Sequence, residues 1–332
     1  MIIFVLYFYF MKYLIVGAGI TGTILAWNLY QNHIPFEIWT APHIPSVSQI
    51  AAGLINPITG KRLAKLSNYE NILSVALKTY QEIQNFFSIP LIYQHKIFRF
   101  LEDDNLKSHF HQKIKFPEFQ NYLNLQPDYA FPTLSFQGDY ILIQPAYRIN
   151  IYLLIETVHQ YFKKLGLLFF KKFDEEQDFY HFDKIFLCRG YQEAYSDTFT
   201  EQKWENALGE IVIFYAPDLQ LNDIYQNQKM TIIPMGNDYY WLGATYLREV
   251  DVHNYLMTNE LEQFLEKNLK VNYTIVNKRI GIRPILKERK PVFLQSSKNP
   301  QYYLINGMGS KGTLWAPYFI QNEVLKALPK IN

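Results

Sequence analysis

The distribution of apolar residues along the chain predicts an α/β unit near its N-terminal end. Short apolar runs over 12–16 and 35–40 flank a helical pattern over 20–32, in which the apolar residues share one face. A strand, a helix and a second strand in this order form a βαβ unit, whose right-handed crossover makes the two strands parallel. A longer helical pattern follows over 68–87.

From about residue 91 the pattern is typical of β-structure, with short apolar or alternating runs between turns rich in Pro, Asn and Asp. The helical pattern returns over 149–165, and Gly166 stands where a helix C-cap glycine is expected. The other predicted elements are strands at 167–173, 183–190, 209–217, 230–247 and 302–306 and helices at 257–268 and 314–328. This order predicts an α/β part visited three times, with a β-rich part inserted between the visits.

Composition and charge narrow the function classes. The chain has 332 residues, which corresponds to about two domains, and its 49% of hydrophobic residues allow a large core. A net charge of +2 is too small for a protein that works mainly by coating nucleic-acid phosphates. The single cysteine, Cys188, excludes an internal disulfide framework and a Cys-rich metal site, and it fits a reducing, cytoplasmic location.

The segment 1–10, MIIFVLYFYF, is apolar but too short to cross a membrane as a helix, which takes about 20 residues. It has neither the positive n-region nor the cleavage site of a signal peptide. We therefore predict that Met11 is the natural start and that 1–10 is a disordered or artefactual extension. A weak contact with a membrane surface is the alternative, and no stable insertion is expected.

A glycine motif follows the first predicted strand. Gly17, Gly19 and Gly22 form G-x-G-x-x-G directly after the strand and at the start of a helix. In this context the first glycine allows the tight turn, the second lets backbone approach a pyrophosphate, and the third lets the helix pack on the strand. Because the helix N-terminus also offers N–H groups and a partial positive charge to phosphate, the motif predicts dinucleotide binding.

The end of the second strand departs from the usual dinucleotide pattern, in which an acidic residue binds a ribose hydroxyl. Glu37 has the expected spacing but lies inside the strand, whereas Thr40 lies at its tip. We favour Thr40 on geometry and keep Glu37 as the alternative. The absence of an acid at the tip disfavours a strong NAD site.

Three further segments carry candidate chemistry. The small residues of 48–57 would let backbone pass close to a flat ligand. Arg283, in GIRP, would either bind a carboxylate through two hydrogen bonds or form a surface salt bridge. The glycine-rich turn 307–317 would direct a second helix N-terminus at an anionic group, and Lys311 either adds positive charge there or points into solvent.

Together these segments resemble the D-amino-acid oxidase-like (DAO) family of FAD-dependent oxidoreductases, which includes glycine oxidase, sarcosine oxidase and the flavin domain of a tRNA-modifying enzyme. The resemblance extends over nearly the whole chain from Lys12 and follows the order of the family's motifs. It consists of YLIVGAGITG at 13–22, AAGLINP at 51–57, ILIQPAYRINIYLL at 141–154, DKIFLCRG at 183–190, GIRP at 281–284 and GMGSKGTLWAP at 307–317.

The resemblance implies a role for each matching residue. The cofactor would be FAD, bound non-covalently because no cysteine lies near 283–315. The implied catalytic residues are Arg283, which would hold a substrate carboxylate, and Lys311 beside the flavin N1/C2 edge. The implied FAD-binding residues are Gly17, Ala18, Gly19, Ile20, Thr21, Gly22, Thr40, Ala52, Gly53, Leu54, Phe173, Gly190, Gly307, Gly309, Ser310, Lys311, Gly312 and Thr313.

The fold implied by the resemblance is α/β, and α+β overall. A Rossmann-like FAD-binding domain would be assembled from the separated segments 11–88, 145–208 and 276–330. A mixed or antiparallel β-sheet, inserted as 89–144 and 209–275, would form the substrate domain.

The function implied by the resemblance is oxidation of a primary or secondary amine in an amino-acid-like substrate. A hydride would pass from the carbon beside the amine to flavin N5, the imine would hydrolyse, and oxygen or another acceptor would reoxidise the flavin. No dedicated acid–base pair is required, because the cofactor performs the difficult step.

Two alternatives remain open: a flavoprotein that modifies a uridine side chain in tRNA, and a flavin-binding protein without catalytic activity. Lys61, Arg62 and Lys65 form a small basic cluster that would favour tRNA binding, unless they only begin a solvated helix. No metal site is predicted, because His109 and His111, placed on one strand face, lack further ligands nearby.

Overall fold

The structure, a computed structural model, describes residues 12–41, 46–248 and 255–328. The predicted start at Met11 and the predicted extension over 1–10 lie outside the described residues. Within them the strands form two main sheets and one short hairpin.

The strands are numbered here in chain order. They are β1 (Tyr13–Val16), β2 (Phe36–Thr40), β3 (Leu54–Ile55), β4 (Ile58–Thr59), β5 (Ala64–Lys65), β6 (Ile92–Phe100), β7 (Leu123–Ala130), β8 (Gln137–Ile149), β9 (Leu168–Phe170), β10 (Lys184–Leu187), β11 (Ala207–Tyr215), β12 (Ile224–Gln226), β13 (Thr231–Gly236), β14 (Tyr239–Gly243), β15 (Leu247–Arg248), β16 (Thr274–Arg283), β17 (Val292–Gln295) and β18 (Tyr302–Asn306).

The α-helices are numbered in the same way. They are α1 (Ile20–Gln31), α2 (Tyr69–Phe87), α3 (Asp104–Lys113), α4 (Pro117–Gln120), α5 (Ile151–Lys164), α6 (Glu260–Asn268), α7 (Gly312–Phe319) and α8 (Leu325–Ala327). A π-helical turn, Ile320–Val324, joins α7 to α8, so the C-terminal helix continues without a break.

The smaller sheet has six strands in the order β17-β18-β10-β1-β2-β9. Strand β1 runs parallel to β2 and β10, and β18 and β9 extend the parallel arrangement on either side. Only β17, at one edge of this sheet, is antiparallel to its neighbour. The parallel β1-α1-β2 unit expected from the sequence is therefore present, and its central strand β1 is buried throughout.

The larger sheet has ten strands in the order β15-β11-β14-β13-β12-β6-β8-β3, with β16 beside β11 and β7 beside β8. All described pairs in it are antiparallel except β12 with β6. The predicted α/β fold with a second, mixed β-sheet is thus confirmed. Strands β8 and β16 belong to this sheet over their whole length and so run across the domain boundaries predicted at 144 and 276.

The helices that carry the glycine segments pack against one another. Helix α1 contacts α5 and α7, and α2 contacts α7. Tyr80 Oη donates to Thr313 O at 2.6 Å, which joins α2 to the first turn of α7. Helix α5 begins after Asn150, whose side chain accepts from Leu153 N, and Gly166 N bonds back to Lys163 O at its end, as the C-cap prediction requires.

One region predicted as β-structure is helical. Asp103 caps α3 by accepting from Leu106 N at 2.7 Å, and Leu106 and Phe110, four residues apart, are both buried. His109 and His111 therefore lie on this helix, where residues two apart point in different directions, and not on one strand face. The apolar spacing of four residues was the signal for a helix in this segment.

Candidate active site

A cavity of about 1210 Å³ is lined by residues of both main sheets and of the loops that follow their strands. The smaller sheet contributes the ends of β1 and β2, and the larger sheet contributes β11, β13, β14 and β16. A cavity of this size is large for a small-molecule site, and it has the capacity for a dinucleotide together with a substrate.

The glycine motif lies at one end of this cavity. Gly17 has a φ of +104°, and a Cβ there would lie 2.5 Å from Cys188 O, so the turn requires glycine. Gly19 lines the cavity at the N-terminus of α1. Gly22 does not line it, because it faces the turn itself: a Cβ there would lie 1.9 Å from Gly17 O. The first and third glycines thus bring the strand, the turn and the helix into close contact.

The strand tip after β2 presents Thr40 to the cavity, whereas Glu37 does not line it. Both carboxylate oxygens of Glu37 are engaged elsewhere. Oε1 pairs with Lys12 Nζ at 2.6 Å, and Oε2 accepts from Trp39 Nε1 at 2.8 Å. Of the two residues considered for a ribose contact, only Thr40 therefore borders the cavity.

The segment after β9 supplies the opposite wall of this end of the cavity. Phe173 lines it, as do Lys171, Lys172 and Gly190. Lys171 Nζ lies 3.7 Å from the Trp39 ring centroid and pairs with Asp178 at 2.8 Å, so its charge is shared with two partners.

The AAGL segment runs along the middle of the cavity through Ala52, Gly53 and Leu54. Gly53 has a φ of +73°, and a Cβ there would lie 1.9 Å from Ile149 O. Gly53 O accepts from Ile149 N at 2.9 Å, so the segment is bonded to the end of β8 through backbone alone. This close approach requires glycine at position 53.

The last glycine-rich turn borders the cavity between β18 and α7. Gly309, Ser310, Gly312 and Thr313 line it, whereas Gly307 and Lys311 do not. Burial lowers the pKa of Lys311, and this ammonium group forms no ion pair within the described residues. Its predicted place beside the cofactor remains a prediction.

Arg283, the last residue of β16, lines the cavity from the larger sheet. Its Nη1 donates to Thr245 O at 3.3 Å, and its guanidinium carbon lies 5.6 Å from the Tyr246 ring centroid. Among the described residues it has no carboxylate partner, and burial lowers its pKa. A partly buried guanidinium without a counter-ion is a binding group for an anion.

The charge of the cavity wall has one sign. Within the described part of the chain, no aspartate or glutamate lines the cavity. The cations that line it are Lys171, Lys172, Arg189 and Arg283. Arg189 is paired with Glu175 at 2.7 Å and with Glu193 at 2.9 Å, and neither glutamate lines the cavity. Of the two arginines that line the cavity, Arg283 is therefore the one that has no acidic partner among the described residues. Such a wall favours anionic ligands.

Several lining residues were not anticipated from the sequence. His159 on α5 lies beside the glycine motif, with Nε2 3.1 Å from Thr23 Oγ1, and burial lowers its pKa to about 4. Trp241 donates from Nε1 to Ile50 O at 2.9 Å, which fixes its ring in the wall of the larger sheet. Neither residue belongs to a local motif. Gly209 carried a signal, since glycine inside a strand often marks a close approach.

Other residues singled out in the sequence lie away from the cavity or are inert. Lys65 pairs with Glu70 at 2.5 Å, and Lys61 and Arg62 lie in the turn between β4 and β5, not at a helix start. Cys188 is buried, and burial raises the pKa of its thiol, in agreement with a packing role.

The described residues contain no group of three or more side chains suited to a metal ion, and none of their helices is long and apolar enough to span a bilayer.

The geometry fits FAD at three points: the glycine turn at the start of α1, the segment around Gly53 whose backbone lines the cavity, and a wall on which none of the described acids would repel the pyrophosphate. The family model of the FAD-dependent oxidoreductases named DAO matches residues 12–319. The chain belongs to this family. It is therefore an FAD-dependent oxidoreductase, and the cofactor and enzyme class expected from the sequence are confirmed.

Solved structures of DAO-type proteins share the fold at low sequence identity. Glycine oxidase from Geobacillus kaustophilus superposes with a TM-score of 0.80 at 13% identity, over 97% of each chain. Glycine oxidase from Bacillus cereus ATCC 14579 gives 0.76 at 12%, over 96% of each chain. Iminodiacetate oxidase from Chelativorans sp. BNC1 gives 0.74 at 16%, over 96% of this chain and 97% of that one. At sequence identities this low, the superpositions show a shared fold and do not show a shared substrate.

Proposed function

We propose that this DAO-family oxidoreductase oxidises a small primary or secondary amine that also carries a carboxylate. The observation that supports this proposal is Arg283, a partly buried guanidinium that lines the cavity without an acidic partner among the described residues. The three structural relatives are named as oxidases of glycine or iminodiacetate, and both compounds join an amine to a carboxylate. A charge-assisted pair with Arg283 would hold the carboxylate and direct the amine carbon into the cavity.

The proposed reaction removes a hydride from the carbon beside the amine and leaves an imine, which water then hydrolyses. FAD, when bound, supplies the hydride acceptor, and molecular oxygen or another electron acceptor takes the electrons afterwards. The protein has to orient the substrate and exclude competing anions. The cavity wall supports this mechanism, because it offers an arginine for orientation and, among the described residues, no carboxylate that would act as a general base.

The proposed cofactor contacts follow the residues that line the cavity. The glycine turn at Gly17 and Gly19 would hold the pyrophosphate, Thr40 the ribose and Phe173 the adenine, while Ala52, Gly53 and Leu54 would lie along the flavin ring. We propose non-covalent binding, since Cys188 is the only cysteine and is buried with a raised pKa. A cytoplasmic location, proposed from the same single cysteine, goes with this role.

The first test is the visible spectrum of the FAD-loaded protein during anaerobic addition of glycine, sarcosine and D-amino acids. We expect bleaching of the flavin bands with at least one of them. Arg283→Leu should retain FAD and lose about ten-fold or more in kcat/KM for carboxylate substrates, because it removes a charge-assisted pair of about 1.5–3 kcal/mol. Arg279→Leu is the matched control, since Arg279 lies exposed on the same strand and does not line the cavity.

Two outcomes would contradict the proposal. Unchanged turnover of carboxylate substrates by Arg283→Leu would remove the proposed role of this arginine. Flavin bands that persist with every amine would favour the two alternatives, a tRNA-modifying flavoprotein and a flavin-binding protein without catalytic activity. Salt-dependent binding of tRNA would then favour the first of these over the second. The ion pair of Lys65 with Glu70 already weakens the basic cluster that favoured tRNA.

A further inference from the structure

Three strands of the larger sheet each place a glycine in the lining of the cavity. Gly209 on β11 pairs with Gly281 on β16, and Ile211 on β11 pairs with Gly243 on β14. All four residues line the cavity. Glycine inside a strand weakens it and usually marks a place where another group approaches the backbone closely. At Gly209, Gly243 and Gly281 the sheet therefore presents backbone, and no side chain, to the cavity.

The group that approaches Gly209 is the guanidinium of Arg283. A Cβ built on Gly209 would lie 2.6 Å from both Nη1 and Nη2 of Arg283, and 2.7 Å from Thr245 O. The guanidinium thus lies against the β11 backbone, and Thr245 O, its hydrogen-bond acceptor, borders the same space. The register explains the approach: Arg283 is opposite Ala207, so its side chain reaches diagonally to the next residue on that face, Gly209.

Backbone conformation does not explain this glycine. The φ of Gly209 lies outside the left-handed region, so alanine would adopt the same backbone without strain. Thr245 and Glu210 hold this part of β11 in place, since Glu210 N donates to Thr245 Oγ1 at 2.8 Å. An alanine at 209 would meet two groups, the Arg283 guanidinium and Thr245 O, and the guanidinium is the one at the end of a flexible side chain.

We propose that Gly209 is a positioning residue that determines carboxylate recognition by leaving the space in which the Arg283 guanidinium is seated. The inference rests on the proposed function, because it assigns to Gly209 the orientation of the arginine that would hold the substrate carboxylate. A methyl group at 209 pushes the guanidinium off the strand and into the cavity. The carboxylate of a ligand then meets a displaced and reoriented donor pair.

The test is Gly209→Ala in the FAD-loaded protein, with benzoate as the probe and benzamide as the uncharged control. Binding is followed by the change in the flavin absorption spectrum, so turnover is not required. We expect the Kd for benzoate to rise ten-fold or more, with unchanged FAD content. Benzamide binding should change by less than two-fold, since it has no charge for Arg283 to recognise.

The Arg283→Lys background shows whether the effect acts through the guanidinium. Lysine keeps the charge but lacks the Nη atoms that meet position 209, so Gly209→Ala should have little further effect there, less than two-fold on benzoate. An equal loss in both backgrounds, or a wild-type Kd for Gly209→Ala, overturns the proposal. If Gly209→Ala folds only in the Arg283→Lys background, the contact with the guanidinium is confirmed; if it folds in neither background, the contact with Thr245 O accounts for the glycine and the proposal is overturned.

The same experiment separates this inference from the proposed function. If benzoate binds equally to the wild type, Arg283→Lys and Arg283→Leu, the carboxylate role of Arg283 fails and the inference fails with it. If the Arg283 variants lose benzoate while Gly209→Ala does not, only the role of Gly209 fails.

Discussion

Gly53 and Gly60 have the same φ angle and very different surroundings. Both have a φ of +73°, which L-residues rarely adopt. A Cβ on Gly53 would lie 1.9 Å from Ile149 O, whereas nothing lies within 4 Å of a Cβ on Gly60. The first glycine therefore combines a backbone requirement with a packing requirement beside the cavity, and the second has only the backbone requirement.

Gly53→Ala should lose most of its bound FAD, because the Ile149 backbone and the segment along the cavity cannot both keep their places. Gly60→Ala should cost only about 1–2 kcal/mol of stability from the left-handed backbone and keep its FAD. The flavin absorbance per protein in the purified variants, together with their thermal midpoints, tests the pair. Equal flavin content in both variants would show that the close approach at Gly53 has no bearing on the cofactor.

At the scale of elements, the contact between α5 and α1 has a built-in dependence on pH. His159 on α5 lies against Thr23 of α1, and burial lowers its pKa to about 4, partly opposed by its hydrogen bond to the Ala18 backbone. The ordinary pKa of histidine is about 6.5, so between these values the unfolded chain binds a proton that the folded chain refuses. The contribution of His159 to the free energy of unfolding is therefore fully present above about pH 6.5 and decreases as the pH falls towards 4.

His159→Gln should remove this part of the acid sensitivity. Linkage gives a loss of about 2 kcal/mol for His159 between pH 8 and pH 5, and the glutamine variant should lack that loss. Urea unfolding of the FAD-free protein at the two pH values measures it, with His111→Gln, an exposed histidine of α3, as the control. If wild type and His159→Gln lose equal stability over this range, the contact with α1 does not depend on a neutral imidazole.

At the scale of the whole molecule, the cavity joins parts of the chain that are distant in sequence. Its wall includes the turn after β1, the segment around Gly53, the end of β10, the glycine positions of the larger sheet and the turn before α7. The division into an FAD-binding and a substrate domain, predicted from the sequence, remains a prediction. A ligand that contacts all these segments stabilises both main sheets at once.

FAD should therefore shift a single thermal transition of the whole protein. At a free FAD concentration about 100 times its Kd, binding adds about 2.7 kcal/mol to the free energy of unfolding. Differential scanning calorimetry with increasing FAD measures the shift, and Gly60→Ala provides a folded control of altered stability. Two separate transitions, of which FAD moves only one, would mean that the two sheets unfold independently.

The sequence by itself determined those strands and helices whose residue pattern is local. The strand-turn-helix around Gly17 and the strands near 36–40 and 302–306 depend on neighbours along the chain, so they can be predicted from residue spacing. Helix α3 differs from the β-structure predicted for this region, and its buried pair Leu106 and Phe110 has helical spacing.

Only the tertiary structure decided which candidate side chains meet in the cavity. Glu37 and Thr40 are three residues apart, yet distant Lys12 helps to keep Glu37 away from the cavity, while Thr40 borders it. The charge of Arg283 is available because none of the described acids comes near it, and its seat at Gly209 is formed by strand pairing. Such facts depend on contacts between residues far apart in the chain, and residue spacing carries no record of them.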